Sequence, residues 1–483
     1  MKYSRNVLAA LIAVQVRNAS RAEMNWPQFR GPNGDGVAAK SRAPAHFGPA
    51  TNLVWKVALP AGHSSPCIWE DRIFLTGFTD GRLETLCLDR RDGKFLWRSA
   101  LMPERIEPVH RLGSPAAPTP ATDGERVYAY FGSFGLVCYD FAGHELWHKP
   151  LPIPMNEFGT GSSPILAGDF VVMVCDQDLD SFLLAVDRRT GQTVWKTARP
   201  EFRRSFSSPY LWRHDGVEEI VVTGTVWLKS YDLKDGNERW KMRGLARVAN
   251  ASPTSGSGLL FASSWNIGAE ARERLSLPAF AAFADRQDKD TNGKFSKDEF
   301  PAGPLRDRFT QIDLDKDGFV TREEWRISEE IFTQAESSVF AVKPGGRGDI
   351  TQTHRAWKQT RGLPYVPSPL CYEGRVYAVK NGGMASCYDA TTGRTLYQEE
   401  RLGALGDYYA SPVGADGKVY FASQQGVVTV LQAGDDFHVL ARNDLGEQIM
   451  ATPAIVDGHI YLRAANYLFA FGDKSKTRNL NTR

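Results

Sequence analysis

An all-β chain closed into an eight-bladed β-propeller, with a small α-helical insert, is the fold class this sequence predicts. Three observations lead there. A Ser-Pro or Thr-Pro step recurs eight times, a turn-plus-tryptophan signature recurs at a fixed place in the repeat, and one overlong interval hides a segment of different character.

The repeat prolines are Pro66, Pro120, Pro164, Pro209, Pro253, Pro369, Pro412 and Pro453. Except at Pro209, a hydrophobic strand residue follows seven positions later. The intervals are 54, 44, 45, 44, 116, 43 and 41 residues. A period of about forty residues built from short strands is the mark of a propeller blade.

The third repeat shows the unit. Ser163-Pro164 leads into Phe170 to Val174, then Phe182 to Val186, then the turn Asp187-Arg-Arg-Thr-Gly191, then Val194-Trp195-Lys196. The strands are rich in β-branched and aromatic residues. In the turn, Asp bonds its own backbone and Gly takes positive φ. The spacing from Gly to an aromatic four residues later recurs at Gly93/Trp97, Gly143/Trp147, Gly236/Trp240 and, with tyrosine, Gly393/Tyr397. Such regular recurrence assigns the tryptophans to packing between neighbouring blades. The last repeat, Pro453 to Phe471, stops before its Trp strand, while a spare strand with Trp55 precedes the first. Adding that strand, Asn52 to Val57, to the last blade as its outer edge closes the ring and removes an exposed edge.

These copies resemble the pyrroloquinoline-quinone-like (PQQ-like) propellers, from about Trp55 to Phe471 outside the long interval. Trp26-Pro-Gln-Phe-Arg-Gly-Pro-Asn-Gly-Asp-Gly36 looks like the lead-in of exported bacterial members. The resemblance implies a quinoprotein-dehydrogenase-like fold. It implies no single activity, because such propellers include quinone-dependent dehydrogenases and an outer-membrane assembly lipoprotein. For a dehydrogenase it implies a vicinal Cys-Cys pair, a stacking Trp and a calcium beside the quinone. The sequence has no Cys-Cys pair and no haem attachment motif. A PQQ-dependent oxidoreductase is therefore the alternative reading and a binding or scaffold propeller the leading one.

The long interval carries the sharpest motif. Asp288-x-Asp290-x-Asn292-Gly293-Lys294-x-x-x-x-Glu299 and Asp313-x-Asp315-x-Asp317-Gly318-Phe319-x-x-x-x-Glu324 both fit the twelve-residue EF-hand loop. Oxygens at positions 1, 3 and 5, the carbonyl of Lys294 or Phe319 at position 7, and a bidentate Glu at 12 suit a hard cation of calcium size. Two ions are expected. Phe295 and Val320 at position 8 should pair the loops. Only 13 residues, including Pro301, Gly303 and Pro304, separate Glu299 from Asp313, so the exiting helix of the first hand must be short. That leaves little room for a sensor that swings open, and a structural role for calcium is favoured. Helices are expected at Leu277 to Gln287 and Glu323 to Gln334, with the module projecting from a loop between strands of blade five.

The domain plan is a signal peptide at 1–22, propeller at 23–265, the insert at 266–336, propeller at 337–474 and a tail at 475–483. Lys2 and Arg5, the apolar stretch Val7 to Val16 and Ser20-Arg21-Ala22 read as a secretory signal. The apolar run is too short for a permanent span, so a periplasmic or secreted, monomeric protein is expected. A net charge of +2 gives no bulk case for nucleic acid. The six cysteines form no CxxC. Whether Cys67 bridges Cys87 and Cys371 bridges Cys387, or all are packing residues, the sequence leaves open. Residues preceding the Ser/Thr-Pro steps should line one mouth of the channel: His63, Arg204, Arg247, Asn250, Tyr365, Asp407, Tyr408 and Gln448. Such a funnel suits an anionic or sugar-like ligand or a peptide.

Overall fold

Among the described residues, eight sheets built on antiparallel meanders follow one another around a ring, and in all but the last the four meander strands run in chain order from the channel outward. The computed structural model describes residues 25–156, 158–266 and 276–473. The expected signal peptide and the tail lie outside them. The first blade is typical: Cys67–Trp69, Arg72–Thr79, Arg82–Asp89 and Phe95–Leu101. Its second strand is buried from Ile73 to Gly77 and its third from Leu83 to Asp89, whereas the fourth alternates between half-buried and exposed. Middle strands pack against neighbouring blades on both faces, so they read as continuous hydrophobic runs. Outer strands sit at the rim and keep the period of two.

The ring closes as expected. Leu53–Ala58 pairs antiparallel with Tyr467–Phe471 and completes the eighth blade as its outer edge.

A second closure explains the repeated Ser/Thr before each proline. The Ser65 N–H donates to Thr119 Oγ1 (2.9 Å), Thr119 to Ser163 (2.9 Å), Ser163 to Ser208 (2.9 Å) and Ser208 to Ser252 (2.8 Å). The chain of bonds continues through Ser368 (2.9 Å), Ser411 (3.0 Å) and Thr452 (3.0 Å) and returns to Ser65 Oγ (3.0 Å). Each buried N–H at the channel wall thus finds a hydroxyl on the next blade, which answers the need to satisfy buried backbone donors. The following proline lacks an N–H and asks for no partner.

The tryptophans dock blade to blade. Trp97 packs on Gly143 of the next blade and its indole N–H donates to the Phe141 carbonyl (2.9 Å). Trp55, Trp147, Trp195 and Trp357 repeat this on Gly93, Gly191, Gly236 and Gly393. Trp240 departs from the set. Blade five lacks the Asp-x-x-x-Gly turn, and Trp240 donates instead to Glu219 of its own blade (3.1 Å). The loop that replaces the turn adds Gly348–Asp349 as a fifth, parallel strand on blade four. Arg347 precedes this strand directly, so an Arg-Gly-Asp tripeptide, Arg347 to Asp349, lies there.

All six cysteines are free and buried. Cys67 and Cys87 both stand opposite Phe74, on the strands either side of it. Two strand spacings put them about 9–10 Å apart, beyond disulfide reach. Cys371 and Cys387 are likewise separated by a middle strand.

The segment Trp26 to Gly36 crosses the channel at the far end of the inner strands. Trp26 bridges to Ile68 of blade one, and the Pro27 carbonyl accepts from Thr122 of blade two (2.8 Å). Gln28 accepts from Leu166 of blade three (2.9 Å), Arg30 donates to Pro369 O before blade six (2.6 Å), and Gly36 O accepts from Gly414 of blade seven (2.9 Å). This stretch is a floor.

The insert enters from the second strand of blade five, Leu259–Ser264, and leaves into its third, Ser338–Val342. It contains α1 (Phe280–Gln287), α2 (Phe309–Ile312) and α3 (Arg322–Gln334). Its own core gathers Phe283, Phe295, Phe300, Val320 and Trp325. Trp325 sits over Phe283 at 4.5 Å between ring centroids and donates to the Pro278 carbonyl (3.0 Å). The segment between the two acidic loops holds only short turns and the four-residue α2. Pro301, Gly303 and Pro304 account for that brevity.

Candidate functional site

Two acidic loops, Asp288 to Glu299 and Asp313 to Glu324, stand side by side in the insert. Phe295 pairs with Val320 across a two-stranded ribbon that joins them. Their backbones match position for position. Thr291 and Lys316, both fourth in their loops, have φ of 59° and 60°, and Gly293 and Gly318, both sixth, have 75° and 90°. The sixth position is where glycine is required.

The side chains converge in each loop. Carboxylate oxygens of Asp288, Asp290 and Glu299 lie within 4.8 Å of one another, as do those of Asp313, Asp315 and Asp317. Glu299 accepts from the N–H of Lys289 (3.0 Å) and of Ser296 (2.8 Å), and Glu324 from Leu314 (2.7 Å) and Thr321 (2.8 Å). These bonds pin both carboxylates across their loops. Asn292 donates its side-chain amide to Asp290 (2.7 Å), which turns its oxygen back toward Lys294 N–H (2.8 Å). Asp313 is only 5% exposed, and its Oδ1 has no hydrogen-bond partner among the described residues. Burial pushes the Asp313 carboxyl above its ordinary range. A buried acceptor without a donor is costly unless a cation completes it.

The two loops differ in surroundings. The first is largely exposed. The second faces the propeller, because the insert folds across the mouth of the channel rather than projecting away. Lys316 of the second loop pairs with Asp178 of blade three at 2.8 Å. Gln311 accepts from Arg247 (2.7 Å), the Phe332 ring lies 5.0 Å from the Arg247 guanidinium, and the Glu336 N–H donates to Leu245 O (3.0 Å). Ala335 packs with Val226 and Ala246 of the mouth.

Roof and floor enclose a chamber of about 960 Å³. Its lower wall is the ring of eight Ser/Thr residues, Phe29 reaches it from the floor, and Asp313, Ile331 and Phe332 reach it from the roof. Of the mouth residues expected from sequence, His63, Arg204, Arg247, Asn250 and Tyr365 line it. Asp407, Tyr408 and Gln448 do not. Tyr408 is fully buried and donates to the Ala404 carbonyl (3.1 Å). Tyr409, one residue on, lines the chamber in its place.

Arg204 forms a double contact with Asp178 (2.8 and 3.1 Å). Burial, with Arg463 nearby, pushes His63 down to about 4, so the ring is neutral near pH 7. Behind the wall, Thr160 donates to Glu107 Oε2 (2.7 Å), while Oε1 has no hydrogen-bond partner among the described residues. Burial pushes the Glu107 carboxyl up to about 7. Sequence reasoning missed Glu107, Arg203, Arg308 and Lys316. Nothing in spacing signals them, because they meet only through the docking of the insert or the folding of long inter-blade loops.

A family model described as outer membrane protein assembly factor BamB matches residues 58–197, which span the first three blades. Among solved structures, BamB from Moraxella catarrhalis aligns at TM-score 0.53 and 13% identity, over 87% of this chain and 99% of that one. Quinohemoprotein alcohol dehydrogenase from Comamonas testosteroni aligns at 0.55 and 11%, over 94% and 81%. The computationally designed Ika8 protein aligns at 0.54 and 10%, over 87% and 99%. The chain has the PQQ-like, eight-bladed propeller fold. At such identities the likeness shows the fold alone. No curated protein matches the sequence. Among the described residues, no helix is long and apolar enough to cross a membrane.

Proposed function

We propose that this is an exported, calcium-binding propeller in which two EF-hand loops each hold one ion and the propeller serves as a binding or scaffold protein. The first ion takes Asp288, Asp290, Asn292, Glu299 and the Lys294 carbonyl. The second takes Asp313, Asp315, Asp317, Glu324 and the Phe319 carbonyl. The observation that carries the reading is the position-by-position match of the two loops in backbone and ligand pattern, with Asp313 Oδ1 buried and without a hydrogen-bond partner among the described residues. Calcium supplies charge neutralisation for three or four carboxylates and fixes the loops. The short α2 and the docked insert favour a structural ion over a sensor.

Native mass spectrometry of the mature chain tests this. Two added calcium ions, removed by chelator, are expected; a mass unchanged by calcium would refute it.

The alternative is a quinone-dependent oxidoreductase with its cofactor in the chamber. Its support is the fold shared with the quinohemoprotein alcohol dehydrogenase. The lack of a vicinal Cys-Cys pair speaks against it. A copurified quinone chromophore would move it to first place.

A further inference from the structure

The hydroxyls that ring the channel wall are used on one side only. A serine or threonine hydroxyl has one hydrogen to give and two lone pairs to receive. At each of the eight positions one lone pair accepts the N–H of a neighbouring blade, as Ser163 does from Thr119 and Ser208 from Ser163. None of the eight donates its own hydrogen to an acceptor among the described residues. All eight are at most 5% exposed, and all line the chamber. Closure of the ring therefore accounts for one lone pair of each oxygen. It leaves an O–H donor and a second lone pair at every position, all bordering one chamber. Buried donors without acceptors are unfavourable, so this wall calls for an occupant that both gives and receives hydrogen bonds.

The other walls narrow its chemistry. Phe158 lines the chamber yet is 40% exposed, and its ring stands edge-on to Phe206 at 6.0 Å and 5.2 Å from His110. A second aromatic pair of the wall, Trp265 and Tyr365, meets at 5.6 Å. Both signs of charge stand on the lining, Arg204 with Asp178 and Arg308 with Asp307, so it selects neither an anion nor a cation. A neutral molecule with hydroxyls around its edge and apolar C–H faces meets both demands, and a sugar ring is such a molecule. A chamber of about 960 Å³ has room for more than one such ring.

We propose that the chamber binds a neutral sugar, a mono- or short oligosaccharide, with its hydroxyls on the Ser/Thr ring and a ring face against Phe158. This gives a ligand class to the binding role proposed above. It rests on the reading of the propeller as a binding protein, and not on calcium. The ring hydroxyls set the donors and acceptors that the sugar meets, and the exposed face of Phe158 covers its C–H side.

The test is calorimetric titration of the full mature chain with glucose and, separately, with maltotriose. Cyclohexanol, which keeps an apolar ring and a single hydroxyl, is the comparison probe. At least one sugar should bind, and cyclohexanol should bind about tenfold more weakly or not at all. Ser163→Ala should weaken the sugar about fivefold, Ser163→Thr should restore it, and Phe158→Ala should weaken it about fivefold. Leu96→Ser, at an exposed position on the outer strand of blade one, should change nothing. Phe158 is exposed enough for its loss to spare the fold, so it decides the matter should Ser163→Ala unfold; circular dichroism of each variant shows which holds. No binding of either sugar up to about 10 mM, a millimolar-scale limit, leaves the hydroxyls to water and overturns the proposal. So does cyclohexanol binding as tightly as the sugar, or sugar binding unchanged by Phe158→Ala or by a folded Ser163→Ala. A chain that takes up calcium and neither sugar overturns this proposal and leaves the calcium reading standing, whereas a copurified quinone chromophore would overturn the binding role on which it rests.

Discussion

Replacing Gly191 by alanine separates the contribution of the tryptophan dock from that of turn geometry. Gly191 has φ of +71°, and an added Cβ would lie 2.5 Å from Cε3 of Trp147 on the preceding blade. The left-handed backbone costs alanine about 1 kcal/mol. Forcing a methyl against a packed ring adds about 1–3 kcal/mol. Gly191→Ala should therefore lose about 2–4 kcal/mol. Gly168 in the same blade supplies the control. Its φ is +59°, and nothing lies within 4 Å of its would-be Cβ. Gly168→Ala should lose only about 1 kcal/mol. Urea unfolding, comparing midpoints at constant m-value, reads both. Trp147→Leu introduced with Gly191→Ala should cost less than the two single losses combined, because the clash is gone. Equal losses at Gly191 and Gly168, or strict additivity with Trp147→Leu, would refute the docking argument.

Ser208→Ala breaks the hydroxyl ring and leaves the buried Ser163 N–H without its acceptor; about 1–3 kcal/mol should be lost. Ser208→Thr, which keeps the hydroxyl, should recover most of it in the same urea assay. Glu107 gives a pH signature. Its carboxyl titrates near 7 in the folded chain against an ordinary 4.5, so the folded state holds a proton that the unfolded state has released. Stability is full below about pH 4.5, falls by up to about 3 kcal/mol as pH rises to about 7, and is flat above. Glu107→Gln should abolish that slope and be the more stable protein at pH 8. Chelation of calcium should loosen the insert, and trypsin should then cut after Arg306 and Arg308 several-fold faster, read by gel; an unchanged rate would contradict a structural ion.

Much of the propeller was legible because its signals are local and repeated. Gly143 needs positive φ, and Trp97 falls four residues after its own turn glycine, a spacing that recurs in five of the eight repeats; the Ser/Thr before each proline marks the channel wall, recurs once per blade and announces the count. The spare strand around Trp55 told how the ring closes, since an unpaired strand and an unfinished last repeat answer each other. The acidic loops were legible for a different reason: chelation dictates residue types at fixed offsets within twelve positions. What escaped was anything fixed by docking. The insert reads as a projecting module, yet Ile331, Phe332 and Ala335 carry it onto the channel mouth. The mouth itself was read one residue off at Tyr408, whose hydroxyl turns inward to Ala404 while Tyr409 takes the wall. Trp240 matched the docking spacing and failed it, because the glycine on which such a tryptophan docks belongs to the next blade, and blade five has no Asp-x-x-x-Gly turn to supply it.

The central claim is that two EF-hand loops bind calcium, and calorimetric titration of the mature chain with calcium, alongside Glu299→Gln and Glu324→Gln, tests it most directly. Two binding events are expected, at or below the millimolar range of extracellular calcium modules, with one event lost in each variant. The same two events in both variants, or no heat up to about 10 mM calcium, would contradict the account.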